Sequence, residues 1–265
     1  MKKTVIKQFL VIDIGNTQMV FGIFKGEELL CHWRLSSNHH LTSDELAWQL
    51  HGMFEQFDQN PTAIDGIMVA SVVPHLDATL RAACERICGK TAAFVGTQDV
   101  KTGMAIDYKN PREVGADRIV NAVAAKAAFG APVIVLDCGT ATTFDLVSAK
   151  GHYAGGLIIP GMEVSIEALS QRAAKLPEVS VVRTDTLIGR DTVSSMQAGA
   201  YWASVDGIKG IIGRLKAMDE YAAAPVVATG GLSNQLLKDI PEISEQRAHL
   251  TLDGLRLLAT EHFGA

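Results

Sequence analysis

The stretch Leu10-Val11-Ile12-Asp13-Ile14-Gly15-Asn16-Thr17 and its echo, Val133-Ile134-Val135-Leu136-Asp137-Cys138-Gly139-Thr140-Ala141-Thr142, decide the fold. Each is an apolar run of strand length that ends in an Asp, with a glycine two residues later and then hydroxyl or amide side chains. A second strand-like run follows each, Met19 to Phe24 and Thr143 to Val147, so both segments predict a strand, a tight turn and a return strand. Glycine lets the backbone approach an anionic group, exposed turn amides bond phosphate oxygens, and the carboxylate holds a cation that neutralises them. Either turn alone reads equally well as an ordinary hairpin with glycine at its tip. The repetition favours a shared task, two turns gripping one nucleotide triphosphate.

The same succession of elements runs outward from both turns. In the first half a third strand is expected at Glu28 to Leu35, and Thr42 with Glu45 forms a capping box for a helix bearing Leu46, Leu50, Met53, Phe54 and Phe57. Gly66 to Val72 reads as a buried strand, Pro74 opens and Gly89 closes a helix, and Ala92 to Val95 is a short strand. Thr97 to Pro111, with Asp107, Tyr108, Lys109 and Asn110, is irregular and polar, as a substrate-facing loop would be. A helix then runs to near Gly130. In the second half the expectations are a third strand at Tyr153 to Ile159 and an amphipathic helix at Met162 to Lys175, with Ile166, Leu169 and Ala173 on one side. A long helix at Val193 to Met218, a buried strand at Pro225 to Ala228 and a last helix at Asp253 to Phe263 follow. The fold class is α/β, with two similar lobes, each a mixed sheet flanked by helices, and a cleft between them. The expected boundaries are 9–118 for the first lobe, 119–251 for the second, and a terminal helix, 252–265, packing back on the first.

Bulk properties narrow the function. The chain has 265 residues, 48% hydrophobic and 20% charged, with a formal net charge of −5. An acidic chain has no diffuse attraction for nucleic acid or an anionic membrane, so a phosphate site must be built locally. The apolar stretches are of strand length, far below the roughly 20 residues that span a bilayer. Lys7 and Gln8 interrupt the beginning of the chain where a signal peptide needs its apolar centre, so the expected location is cytoplasmic. Cys31, Cys84, Cys88 and Cys138 lack the paired spacing of a zinc site and read as reduced, buried thiols.

Several residues can carry chemistry. Gly115-Ala116-Asp117-Arg118 opens a helix, and Asp117 is either a residue favoured in the first turn by the helix dipole or a base for an incoming hydroxyl. On the second reading Tyr108, Asn110 and Arg118 bind a polar, anionic acceptor. Thr229-Gly230-Gly231 lets a nucleoside pass close to the backbone, though a plain strand-to-helix corner looks the same. Thr192 is expected as the N-cap of the long helix, where it also faces the substrate. Along that helix Gly207, Gly210 and Gly213 share one side, and either core packing or a dimer seam accounts for them. The histidines show no metal-site spacing, and neither a P-loop nor a G-x-G-x-x-G motif is present.

In this order, the segments DIGNTQMVFGIF from Asp13, DYKNPREVGADRIVNAVAA from Asp107, LDCGTATTFDLV from Leu136, GGLIIPG from Gly155 and IGRDTVSSMQAG from Ile188 resemble the type III pantothenate kinases. That family belongs to the actin and sugar-kinase superfamily, whose lobes are ribonuclease H-like. The resemblance implies transfer of the ATP γ-phosphate to the primary hydroxyl of pantothenate, the first step towards coenzyme A. It implies that Asp13, Ile14, Gly15, Asn16, Thr17, Gln18, Met19 and Val20 form the first phosphate loop, with Asp13 near Mg²⁺, and that Thr140 contacts ATP. Asp137 matches a monovalent cation ligand, for K⁺ or NH₄⁺. Tyr108, Gly115, Ala116, Asp117, Arg118 and Thr192 match pantothenate-binding positions, with Asp117 as proton acceptor. A homodimer is implied as well. The same fold also serves regulatory accessory proteins like the Bvg accessory factor, which would need no turnover.

Overall fold

Two five-stranded sheets with the same strand arrangement organise the chain, which a computed structural model describes over residues 6–96, 100–236 and 238–264. The elements in order are β1 (Gln8–Ile14), β2 (Gln18–Lys25), β3 (Glu28–Ser36), α1 (Ser43–Gln56), β4 (Gly66–Ser71), α2 (Pro74–Cys88), β5 (Ala92–Phe94) and α3 (Ala116–Phe129). They continue with β6 (Val133–Cys138), β7 (Ala141–Val147), β8 (Tyr153–Pro160), α4 (Met162–Arg172), α5 (Thr192–Lys216), β9 (Val226–Thr229), α6 (Ser233–Leu236), β10 (Glu245–Gln246) and α7 (Leu250–Phe263). One sheet has the order β3-β2-β1-β4-β5 and the other β8-β7-β6-β9-β10, so each acidic turn closes the hairpin on the central strand of its own sheet. In both sheets the first three strands are antiparallel and the last two join in parallel.

The contacts divide the chain into two compact units. One takes in the described residues up to Met104, Asn110–Ala124 and those from Leu250 on; the other comprises Ala105–Lys109 and Ala125–His249. In the first unit the alternation along β1 sorts its side chains by face. Leu10, Ile12 and Ile14 join the cluster containing Leu46, Leu50 and Phe54 of α1 and Leu76 and Leu80 of α2, while Phe9 and Val11 join the one containing Val120 of α3 and Leu252 and Leu255 of α7. Burial of each such side chain stabilises by about 1.5–3 kcal/mol, so the two covered faces of this sheet are the main source of the unit's stability. Gly66 has no side chain because the Phe263 ring lies on it: a Cβ there would sit 2.5 Å from the ring.

The helix ends behave as their sequences dictate. Thr42 accepts from the Glu45 amide, and the Glu45 carboxylate returns the bond, a capping box worth on the order of 1 kcal/mol. Gly89 ends α2 in the left-handed region at φ 64°. Three expectations change. Asp191, not Thr192, caps α5, since its carboxylate reaches the Ser194 amide at 2.8 Å, leaving Thr192 as the first helical residue. Leu169 is 46% exposed, because α4 ends at Arg172 and this side of it borders an open groove. The second sheet gains a fifth strand, β10, which at two residues is too short to leave a pattern in sequence. Of the stretch read as a substrate-facing loop, Thr97 to Asp99 lie outside the described residues.

Candidate active site

In the first unit β1 delivers Asp13 to the end of the central strand, flanked in register by Val20 of β2 and Ala70 of β4. The turn is tight: the Gly15 amide donates to the Gln18 carbonyl at 3.0 Å. Asn16, Thr17 and Gln18 are exposed, whereas Ile14 and Met19 are wholly buried, so only the backbone of those two can reach a ligand. Ser37, which no motif in the sequence marks, braces the turn from just beyond β3. Its hydroxyl donates to the Gly15 carbonyl at 2.6 Å and its amide to the Thr17 carbonyl at 3.0 Å.

The segment Gly115 to Arg118 lies beside the same strand ends. The Val72 amide donates to the Ile14 carbonyl at 3.0 Å, and a Cβ on Gly115 would lie 3.5 Å from the Val72 side chain. Asp117 curls back over Gly115, where that Cβ would meet its Oδ1 at 2.5 Å, so the absence of a side chain at 115 is what gives the carboxylate its place. The Arg118 amide donates to Asp117 Oδ1 at 2.8 Å. Burial pushes the Asp117 pKa up, and the Arg118 amide and guanidinium only partly offset this. Ala116 packs into the core and offers a ligand its backbone alone. Gly115→Ala is therefore expected to displace the carboxylate without removing it. Its turnover should fall by about tenfold or more with little change in thermal stability; unchanged turnover would show that the position of Asp117 over Gly115 has no catalytic use.

The second unit builds its own site around the second turn. Asp137 lies near the end of β6, flanked by Thr143 of β7 and Thr229 of β9. Gly230, at φ +88°, brings the backbone so close that a Cβ would lie 2.5 Å from the Cys138 carbonyl oxygen and 2.6 Å from Asp137 Oδ1. Gly161 fits as closely from the β8 side: its amide donates to the Thr140 carbonyl at 3.1 Å, and a Cβ would lie 2.5 Å from the carbonyl oxygens of Gly139 and Thr140. Thus Asp137 and the Thr229-Gly230-Gly231 corner come together beside the turn that carries Thr140, which is exposed. Cys138 is a packing residue, its thiol pushed up to about 12 by burial and by the Asp137 charge.

Tyr108 belongs to this unit and is 40% exposed, standing edge-on to Tyr153 with ring centroids 6.4 Å apart. Asn110 is occupied differently from expectation, because its side chain accepts from the Arg112 amide and donates to Glu113, capping a short 3-10 turn. Thr192 opens onto a groove of about 810 Å³ between α4 and α5, lined by Ile166, Leu169 and Met196 on its apolar side and by Arg190 and Asp191 near Thr192.

These turns, with their order along the chain, find their match among known proteins. Residues 9–214 fit the sequence profile described as Type III pantothenate kinase. The chain belongs to the type III pantothenate kinase family. Two curated relatives of that name cover 94% of this chain and 97% of their own: one from Moorella thermoacetica, 46% identical over 249 residues, and one from Brevibacillus brevis, 44% identical over 250. Among solved structures, a Campylobacter jejuni protein assigned to the Baf family of transcriptional activators covers 97% of this chain and 100% of its own, at TM-score 0.59 and 21% identity. A Sinorhizobium meliloti protein assigned as a 2-dehydro-3-deoxygalactonokinase reaches TM-score 0.59 at 14% identity, covering 96% of both chains. At such identities the structural likeness speaks to the fold: two ribonuclease H-like units of the actin and sugar-kinase type. The matched residues, 9–214, include both turns.

Proposed function

We infer that this chain is a working kinase that transfers the γ-phosphoryl group of ATP to the primary hydroxyl of pantothenate, giving 4'-phosphopantothenate and ADP. The observation that carries the reading is Asp117, a half-buried carboxylate lodged over Gly115 whose pKa burial raises. A protein that only bound nucleotide would gain nothing from the partial desolvation this imposes, whereas a proton acceptor for an alcohol gains some basicity from it and a fixed position besides. An accessory regulator without turnover is for that reason not favoured.

The residues act as follows. Turn amides of Asn16 and Thr17 bind phosphate oxygens of ATP, Gly15 lets the backbone come close to them, and Thr140 and the Gly230-Gly231 backbone receive the nucleotide from the second turn. Tyr108, Arg118 and Thr192 hold pantothenate, with the Arg118 guanidinium as the partner of its carboxylate. As the pantothenate oxygen bonds to Pγ and the bond from Pγ to the β–γ bridging oxygen breaks, Asp117 accepts the hydroxyl proton. The transition state is loose and the proton leaves late, so alignment matters more than basicity. Asp13, a carboxylate at a strand end beside exposed amides, fits Mg²⁺ held through the phosphates, and bound Mg²⁺ neutralises the triphosphate charge. Asp137 would hold K⁺ or NH₄⁺; the close approach of Gly230 to its Oδ1 leaves the carboxylate a confined setting suited to a bare cation. A coupled ADP-release assay with ATP, Mg²⁺, K⁺ or NH₄⁺ and a panel of pantothenate, glycerol, acetate and hexoses tests the reading. Turnover with pantothenate alone is expected, and turnover independent of it or specific to a sugar would refute it.

The chain is proposed to act as a homodimer. Beyond the backbone of α5 itself, nothing among the described residues lies within 4 Å of a Cβ built on Gly207, Gly210 or Gly213, so these glycines serve no packing against another described element. With Ala203 they leave a side-chain-poor face suited to a second copy of the same helix. Gly210→Lys is expected to convert a dimer into a monomer in sedimentation; a wild-type monomer would end this reading. No helix among the described residues is long and apolar enough to cross a membrane. The free cysteines suit the reducing cytoplasm, where we place the reaction.

A further inference from the structure

The second sheet carries a carboxylate that the reaction above does not use. Asp145 of β7 is completely buried. An ionised carboxylate in such a place is costly unless donors surround it, and hydroxyls supply them: Tyr153 donates to Oδ1 at 2.7 Å and Thr143 to Oδ2 at 3.0 Å. Both donors lead elsewhere. Thr143 stands directly across from Asp137 in the β6–β7 pairing, on the same face. Tyr153, also fully buried, is the post on which the Tyr108 segment hangs. Its amide donates to the Ala105 carbonyl at 2.8 Å, its carbonyl accepts the Asp107 amide at 2.8 Å, and its ring meets the edge of Tyr108. An apolar residue at 145 would fill the same space without specifying where the Tyr153 hydroxyl points.

We propose that Asp145 is a positioning residue for the acceptor: it fixes Tyr153, and Tyr153 sets the backbone of 105–109 and the Tyr108 ring against which pantothenate is held. The proposal rests on the reading of Tyr108 as an acceptor-binding residue. Its reach extends along one sheet face, from the strand pair that holds Asp137 to the segment that presents Tyr108.

Asp145→Ala threatens the sheet itself, so Tyr153→Phe is the discriminating variant, since it removes one hydroxyl and keeps the ring. Amide hydrogen exchange at 105–109 is expected to quicken by about tenfold, the loss of one hydrogen bond to a buried carboxyl group, while exchange in β9 stays as in the wild type. The KM for pantothenate should rise by about tenfold and that for ATP stay within about twofold. Asp145→Asn, which keeps one acceptor oxygen, should fall between wild type and Tyr153→Phe. Exchange that quickens equally in β9, exchange that does not change at 105–109, or two KM values that move together would overturn the proposal and leave Asp145 a structural group. A wild type without pantothenate turnover would fail the functional reading separately, and the exchange contrast would still decide whether Asp145 orders the segment.

Discussion

Asp117→Asn is expected to lower kcat with pantothenate by about 10²–10⁴-fold, the range for a lost general base, while the Kd for ATP stays near its wild-type value. Asn keeps an oxygen to accept the Arg118 amide, so the geometry over Gly115 survives and only the proton acceptor is lost. The same variant should be more stable than wild type at neutral pH. Burial raises the folded-state pKa of Asp117, so its favourable contribution is complete only below the ordinary carboxylate range and disappears as pH rises through the folded value. At neutral pH the native protein carries the cost of a desolvated charge, which Asn does not. The Tm difference between the two should shrink as the pH falls and close once both side chains are neutral. Wild-type kcat should likewise begin to fall, on acidification, above the pH at which an ordinary aspartate would protonate. A variant with wild-type kcat, or one less stable at neutral pH, would contradict this account of residue 117.

Gly230→Ala should be the most damaging single methyl in the second unit. It forces a side chain onto a backbone at φ +88°, a strain of about 1–3 kcal/mol, and drives a Cβ against a backbone oxygen that cannot yield. A total of roughly 2–4 kcal/mol corresponds to a Tm lower by about 5–15 °C for a chain of this size. Relief of the clash must move Asp137, so the cation requirement should rise steeply or turnover vanish. Gly231→Ala is the control for stability: nothing among the described residues lies within 4 Å of a Cβ there, and it should leave Tm nearly unchanged. Equal behaviour of the two variants would show that the close approach at residue 230 is not what organises Asp137.

The strands and turns were legible because their signals are local. An alternating or continuous apolar run, a carboxylate and a glycine fall within ten residues, and their recurrence foretold two sheets of like arrangement. The Thr42 capping box was legible for the same reason. Other features depend on partners distant in the chain or on a choice among neighbours. Asp191 and Thr192 are both good caps, and the box with Ser194 settles the matter in favour of the acid. Leu169 fits a helical stripe, but what faces that stripe is fixed by where α5 begins. The fold of Asp117 over Gly115 and the closeness of Gly230 to Asp137 follow from backbone paths that no spacing rule reveals. Asp145 could have been suspected as an acid inside an otherwise uncharged strand, yet its donors, Thr143 and Tyr153, become visible only when β7 and β8 are paired.

The most direct measurement of the central claim follows the γ-phosphoryl group itself. With ATP labelled at the γ-phosphate, wild-type protein is predicted to place the label on the primary hydroxyl oxygen of pantothenate, one label for each ADP formed, and Asp117→Asn to bind ATP yet transfer almost none. ADP released at the same rate with and without pantothenate, or equal transfer by both proteins, would contradict it.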